Sequence, residues 1–405
     1  MLIKSNVKLH EGQEQARKAM LNNPVKYNII KSSRQAGKTA FIEVMLSYFA
    51  INSKVKCLWA SPTISQARKV YREIKKAIPK EITKKTLDGT REIWLINGTY
   101  IEFIGVEKPD NIRGDNTDIF ILDEFAFYKS TVWPILRPFM ITKPNAVCII
   151  ISTPRGMEGN FFNMYNNGLE ENGMYRSYTW NYKDNPYCDL REIDAARLSI
   201  PDAMFRQEYL GEFVKGGASV FNNVQLCSTV TEFEKYNPKV HYYNGNDIAK
   251  QKDFTVATTM NERCQVSNIM RMRRQNYEII TDALVNQLKM YKPRLALMEV
   301  NGVGDATFDF VRNKFKGNLI PWTSNNSAKE LIVSRLVNGF NTRRIGIPTK
   351  ELSPTLHQQL ETFTFTYSAK TRKILYHAIE GYHDDDVISL ALANEAWYTF
   401  HGRTA

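Results

Sequence analysis

The chain is poor in cysteine, with five in 405 residues (Cys57, Cys148, Cys188, Cys227 and Cys264). Their odd count and wide spacing, with no C-x-x-C pair, argue against a disulfide framework and against a sequence-local zinc site, so reduced thiols in an intracellular protein are expected. Long apolar runs are missing too. No stretch approaches the roughly 18 residues that span a bilayer, and the opening "MLIKSNVKLHEGQEQ" has no apolar signal core. A soluble protein is expected. There is no internal repeat and no low-complexity tract. Acidic residues are outnumbered, 42 Asp and Glu against 54 Lys and Arg, and the formal charge of +12 favours a polyanionic partner such as nucleic acid.

A chain of this length exceeds the size at which one core stops growing, so two domains are expected. The first half alternates strand-like and helix-like segments: "YNIIKSS", "KVKCLWASP", "SQARKVYREIKKAI", "DIFILDE" and "AVCIIISTP". That alternation predicts a parallel sheet covered by helices. Asn97-Gly98, between "TREIWLI" and "TYIEFIG", predicts an antiparallel hairpin inserted in it. The pattern loosens over 211 to 240, where "GEFVKGGASVFNN" is rich in glycine and small polar residues, and a domain boundary is expected there. The second half restarts with two strands in hairpin order, then a strand and helix, and closes on a helix through "HDDDVISLALANEAWYTF".

In "YNIIKSSRQAGKTAFIEVML" a short apolar strand, a small-residue loop and a helix follow one another. Gly37-Lys38-Thr39 completes the G-x-x-x-x-G-K-[ST] pattern, although Ser32 stands where its first glycine belongs. In such a loop the backbone around Ser33, Arg34, Gln35, Ala36 and Gly37 cradles phosphates at a helix N-terminus, Lys38 reaches the terminal phosphates and Thr39 the Mg²⁺. The second stretch is "IFILDEFAF". An apolar strand closing on Asp123 and Glu124 makes sense if the charges meet a metal nucleotide, Asp123 beside the Mg²⁺ and Glu124 as the base that orients water. Thr153, at the tip of "IIISTPRG", either senses the terminal phosphate or starts a turn. Gln13 either reads the edge of adenine or is a solvated helix residue. Arg34 and Arg113 are candidates for stabilising charge during phosphoryl transfer, Arg113 alternatively pairing with Asp115 or Asp118.

In the second half, acidic residues recur at the ends of predicted elements: Asp247, Glu299 and the triplet Asp384, Asp385 and Asp386. Carboxylates converging from separate elements repel unless cations bind between them, and paired Mg²⁺ or Mn²⁺ can activate water for phosphodiester cleavage. His383 is a candidate auxiliary ligand or proton shuttle, or else a surface histidine, and Asp253 a candidate outer ligand or a turn residue. Successive helical residues point about 100° apart, so the three aspartates cannot share one site. Asp385 shares its face with Ser389, a polar position compatible with a groove; Asp384 precedes the helix and can turn inward; Asp386 belongs to the buried rim or the cap.

Taken together, "SSRQAGKT", "IFILDEFAF", "IISTPRG", "EVNGVG" and "HDDDVISLALA" resemble, in order and spacing, the large subunit of tailed-bacteriophage terminases. The resemblance implies an α/β chain with an N-terminal P-loop (ASCE-type) ATPase domain over 1–215, a linker over 216–239 and a C-terminal RNase H-like nuclease domain over 240–405. It implies that Lys38, Thr39, Asp123 and Glu124 carry ATP hydrolysis with Mg²⁺, that Thr153 belongs to a coupling motif and that Arg113 acts on a neighbouring subunit's nucleotide. It also implies that Asp247, Glu299 and Asp384 or Asp385 ligate the nuclease metals, Mg²⁺ or Mn²⁺. Asp386 falls on a variable position of the family pattern, and Ile388 stands where many members have another aspartate. The implied partners are double-stranded viral DNA, the portal protein of the prohead, the small terminase subunit and further copies of the chain in a ring. The implied setting is the host cytoplasm during assembly, outside the mature virion. A helicase with an attached nuclease is a competing reading, weakened because the second half holds no second phosphate loop. A nucleic-acid-binding assembly factor with a structural ATP site is another.

Overall fold

A computed structural model describes residues 8–108, 116–141, 143–170, 173–215, 219–248, 254–273, 275–300, 303–367 and 374–401. The chain forms two compact units, 1–193 with 204–216, and 194–203 with 217–405.

The first unit is built on eight strands: β1 (Tyr27–Ser32), β2 (Lys56–Ser61), β3 (Thr83–Leu87), β4 (Glu92–Leu95), β5 (Tyr100–Gly105), β6 (Ile119–Asp123), β7 (Val147–Ser152) and β8 (Tyr175–Trp180). Their order is β3-β4-β5-β2-β6-β7-β1-β8, parallel from β5 through β8 and antiparallel at β3-β4-β5. The central strands are covered on both faces, which is why they read as unbroken apolar runs. Ile30, Trp59, Ile121 and Ile149 pack on one side with residues of helices α1 (Glu11–Asn22), α2 (Lys38–Asn52) and α3 (Ile64–Ala77); Ile29, Leu58, Phe120 and Ile150 pack on the other. The hairpin at Asn97-Gly98 forms as the sequence predicts, with Ile93 opposite Ile101 and Gly98 at φ +87°. β3 is an additional edge strand that no apolar pattern announces, because "TKKTL" is largely exposed.

In the second unit, β9 (Tyr242–Asp247), β10 (Phe254–Asn261), β11 (Val266–Arg273), β12 (Leu295–Glu299) and β13 (Leu319–Trp322) form a sheet ordered β11-β10-β9-β12-β13. β9, β10 and β11 are antiparallel, and β12 and β13 run parallel to β9. A separate hairpin joins β14 (Phe363–Tyr367) to β15 (Ile374–Ala378). The helix Asp385–His401 lies across β9 and reaches its backbone at Gly245, where a Cβ would sit 2.2 Å from Ala393 N. Ser389 donates to Gly245 O at 2.9 Å and lies 2.9 Å from Thr258 Oγ1. The expectation that Ser389 faces a groove is therefore corrected: its hydroxyl is fully buried and serves to seat the helix. The stretch expected to be a linker carries structure of its own, with Val220 N donating to Phe363 O and Val230 bridging Pro348.

Candidate functional sites

The loop between β1 and α2 ends on Gly37 at φ +79°, a left-handed conformation that suits glycine. Gln35 takes φ +58° in the same loop. Lys38, only 9% exposed, donates to Ser33 O at 3.0 Å and to Thr153 Oγ1 at 2.9 Å. Its ammonium lies 3.7 Å from Glu124 Oε1. Thr153 N donates to Glu124 Oε2 at 3.2 Å, and the Ser152 hydroxyl is 3.4 Å from the same oxygen. β6 and β7 are adjacent and parallel, with Asp123 in register with Ile151, so the two strand tips converge on the lysine. Glu124 has left-handed φ/ψ of 51° and 43°. A non-glycine residue there costs roughly 1–2 kcal/mol, and such strain concentrates where a side chain must be aimed. Thr39 sits in the first turn of α2.

Other loop residues are held from outside. Gln13, predicted either to read adenine or to face solvent, is buried and spans two jobs: its side-chain amide donates to Gly37 O at 2.9 Å, and its Oε1 accepts from His10 N at 3.1 Å in the cap of α1. Arg34 forms an ion pair with Glu208, and its backbone N donates to Glu208 O at 2.8 Å. Gly211 backs the loop so closely that a Cβ there would meet Ser33 N at 3.0 Å. Asp118, one alternative partner of Arg113, pairs with Lys143 at 2.9 Å. Arg113, Asp115 and Asp253 lie outside the described residues.

In the second unit, Asp247 ends β9 and Glu299 ends β12, parallel neighbours in the sheet. Their side chains share a hydrogen bond. Burial first, then the charges of Glu299, Asp385 and Asp384, push the Asp247 carboxyl well above the usual carboxylate range. The aspartate triplet is sorted by its partners. Asp384 pairs with Lys329 at 2.9 Å. Asp386, 1% exposed, accepts from Arg271 Nε at 3.0 Å and from Gln359 Nε2 at 2.8 Å, and its own N donates back to Gln359 Oε1 at 2.8 Å. Arg271 in turn stacks 3.3 Å from the centre of the Phe254 ring. Asp385 is the member directed toward Asp247, with His383 Nδ1 3.8 Å from its Oδ2. The donor set is all carboxylate oxygen, the chemistry that suits Mg²⁺ or Mn²⁺. Among the described residues no three His, Cys, Asp or Glu side chains close as a ready-made cage.

Lys329, Arg271, Gln359 and Glu208 escaped sequence reasoning, since each acts on a partner tens of residues or more away and none belongs to a motif.

Residues 29–227 match the family described as terminase large subunit, T4likevirus-type, N-terminal. The terminase large subunit of Thermus virus P23-45 is 28% identical over 327 residues, 72% of this chain and 64% of that protein; that of Escherichia phage T5 is 30% identical over 210 residues, 50% of this chain and 47% of that protein. The chain belongs to the phage large-terminase family. It spans less than two thirds of the length of these relatives. The full-length large terminase of a thermophilic bacteriophage shares the fold, with a TM-score of 0.53 at 12% identity over 96% of this chain and 99% of that one. Its structures include complexes with ATP-gamma-S and with ADP. Among the described residues no helix is long and apolar enough to cross a membrane.

Proposed function

We propose that this chain hydrolyses ATP in its first unit to drive double-stranded DNA into a viral prohead and cuts concatemeric DNA in its second. The observation that carries the reading is the presence in one terminase-family chain of two differently built sites: Lys38, Thr153 and Glu124 gathered at converging strand tips, and Asp247, Glu299 and Asp385 gathered on a second sheet.

At the first site the loop N–H groups and the start of α2 would hold the phosphates, with Thr39 and Asp123 on the Mg²⁺ side. Lys38 exchanges its contacts with Ser33 O and Thr153 for phosphate oxygens. Glu124, released from the lysine, orients water for attack. Thr153, bonded through its side chain to Lys38 and through its backbone to Glu124, reports which of them is engaged. Arg34 contributes charge only when its pairing with Glu208 opens, and Arg113 is assigned to a neighbouring subunit's nucleotide. At the second site Asp247, Glu299 and Asp385, with Asp384 flanking, would ligate the cations. A divalent ion supplies Lewis-acid polarisation of the phosphodiester. The domain boundary is placed near residue 216. The partners proposed are the portal protein, the small subunit and further copies of the chain in a ring, in the host cytoplasm.

Glu124→Gln tests the motor reading, because the amide keeps the shape but removes the base. ATP binding should persist while DNA-stimulated hydrolysis and packaging into purified proheads vanish. Near-normal turnover would exclude Glu124 from that role.

A further inference from the structure

Positive charge is concentrated in one short stretch of the first unit. Residues 64–87 hold eight Lys and Arg against two acidic residues, a net +6 out of the chain's +12. They comprise α3, a short turn at Lys80–Ile82 and the edge strand β3. Helix α3 buries Ala67, Val70, Tyr71 and Ile74 against the sheet, Tyr71 lying edge-on to Phe103 with ring centres 5.6 Å apart. Its outer face carries Arg68, Lys69, Arg72 and Lys76, all exposed. Lys80, Lys84 and Lys85 continue the exposed series onto the edge. The two parts are tied together by Asp88, just past β3, which accepts from Lys75 Nζ at 2.7 Å and from the Tyr71 hydroxyl. Among the described residues, Lys75 is the only one of the eight in an ion pair.

Lysines on an edge strand also guard it against pairing with another strand. That accounts for Lys84 and Lys85 and leaves the helical stripe unexplained. Arg68, Arg72 and Lys76 recur every four residues, about 6 Å apart along the axis, on a helix made rigid by its buried face. A protein partner would look for an apolar or aromatic centre in such a patch. The large apolar side chain exposed within it is Leu87, at one end. A row of exposed cations without such a centre suits a phosphate backbone, whose recognition is electrostatic and independent of sequence.

We propose that the ridge formed by α3 and β3 grips the phosphate backbone of duplex DNA in the motor unit, with Arg68, Arg72 and Lys76 as its principal contacts. This rests on the motor reading and adds to it where on the first unit the DNA is held. The test compares the full chain with a triple variant, Arg68→Gln, Arg72→Gln and Lys76→Gln, in binding to a fluorescent duplex about three helical turns long over a salt series, with ATP turnover measured with and without DNA. Loss of three phosphate contacts should weaken binding at least tenfold at low salt and reduce the slope of log affinity against log salt by about 3. DNA-free turnover should be unchanged, which also certifies the fold, while DNA stimulation is lost. Lys84→Gln with Lys85→Gln should show a smaller change in the same direction. Wild-type binding with an unaltered triple variant overturns the ridge alone. Failure of the wild type to bind duplex DNA, or ridge-dependent capture of an acidic protein in its place, overturns the ridge together with the motor reading.

Discussion

The two sites treat their carboxylates in opposite ways. In the first unit Glu124 meets a lysine at 3.7 Å and a backbone N–H at 3.2 Å, so its charge is compensated by the protein itself. In the second, Asp247 meets Glu299 and Asp385, while cationic side chains of the protein stand at the flanks of the cluster, Lys329 on Asp384 and Arg271 on Asp386. A self-compensated site can stand ready without ligand and change partners during a cycle. A cluster of buried like charges holds its protons until external cations replace them. The contrast separates a switch from a receptacle, and it can be tested from either side.

The largest effect should come from the member of the triplet directed at Asp247. Asp385→Ala is expected to reduce Mn²⁺-dependent plasmid nicking to background while DNA-stimulated ATPase persists, with Asp384→Ala less severe because Lys329 occupies it. If nicking survives loss of both and disappears with Asp386→Ala, the sorting by partners is wrong. Next, Lys38→Ala should lower ATP turnover by about 10²–10³-fold, the scale of losing one preorganised charge donor, and leave nicking intact. A phosphate-release assay beside a nicking assay decides whether the units are separable in this way. Asp386→Ala removes the partner of a buried arginine, which typically costs about 3–5 kcal/mol; denaturant unfolding followed by tryptophan fluorescence should show it, with Asp386→Asn recovering part through Gln359. The smallest effect concerns acid. The folded-state pKa of Asp247 lies above its unfolded value, so its contribution to stability is full below the ordinary carboxylate range near pH 4 and is lost as pH rises through the folded value. In chelator, Asp247→Asn should therefore melt progressively higher than wild type as pH increases from acid to neutral, and Mn²⁺ should narrow the gap by favouring the wild type. A gap independent of pH would remove like-charge crowding as the distinguishing feature of the second site.

Much of this was legible in the amino-acid order. The apolar strands, the Gly37-Lys38-Thr39 loop, the Asn97-Gly98 hairpin and the aspartates at the start of the last helix are local patterns, and local geometry follows from them. What escaped was the set of distant partners. Gln13 reads as an ordinary amphipathic-helix residue until the fold brings Gly37 O to it, and Arg34 reaches Glu208 from the far end of the same unit's sequence. β3 was invisible because an exposed edge strand needs no apolar alternation. Ser389 misled because a hydroxyl is as compatible with a tight helix–strand junction as with water. The side chains that sort the aspartates, Lys329, Arg271 and Gln359, come from three separate elements and no spacing rule joins them.

The junction at Gly245 bears on how the second site wears. Where side chains set the separation between two elements, drift in any of them loosens the gap; here main chain rests on main chain, and the separation is fixed by atomic radii. Asp247 is two residues from that contact on one element, and Asp385 lies on the other. The mutual placement of the two carboxylates is thereby insulated from turnover of the surrounding sequence. Lineages can rewrite much of the helix surface and keep the same calibre between the acids, provided that residue 245 never acquires a side chain.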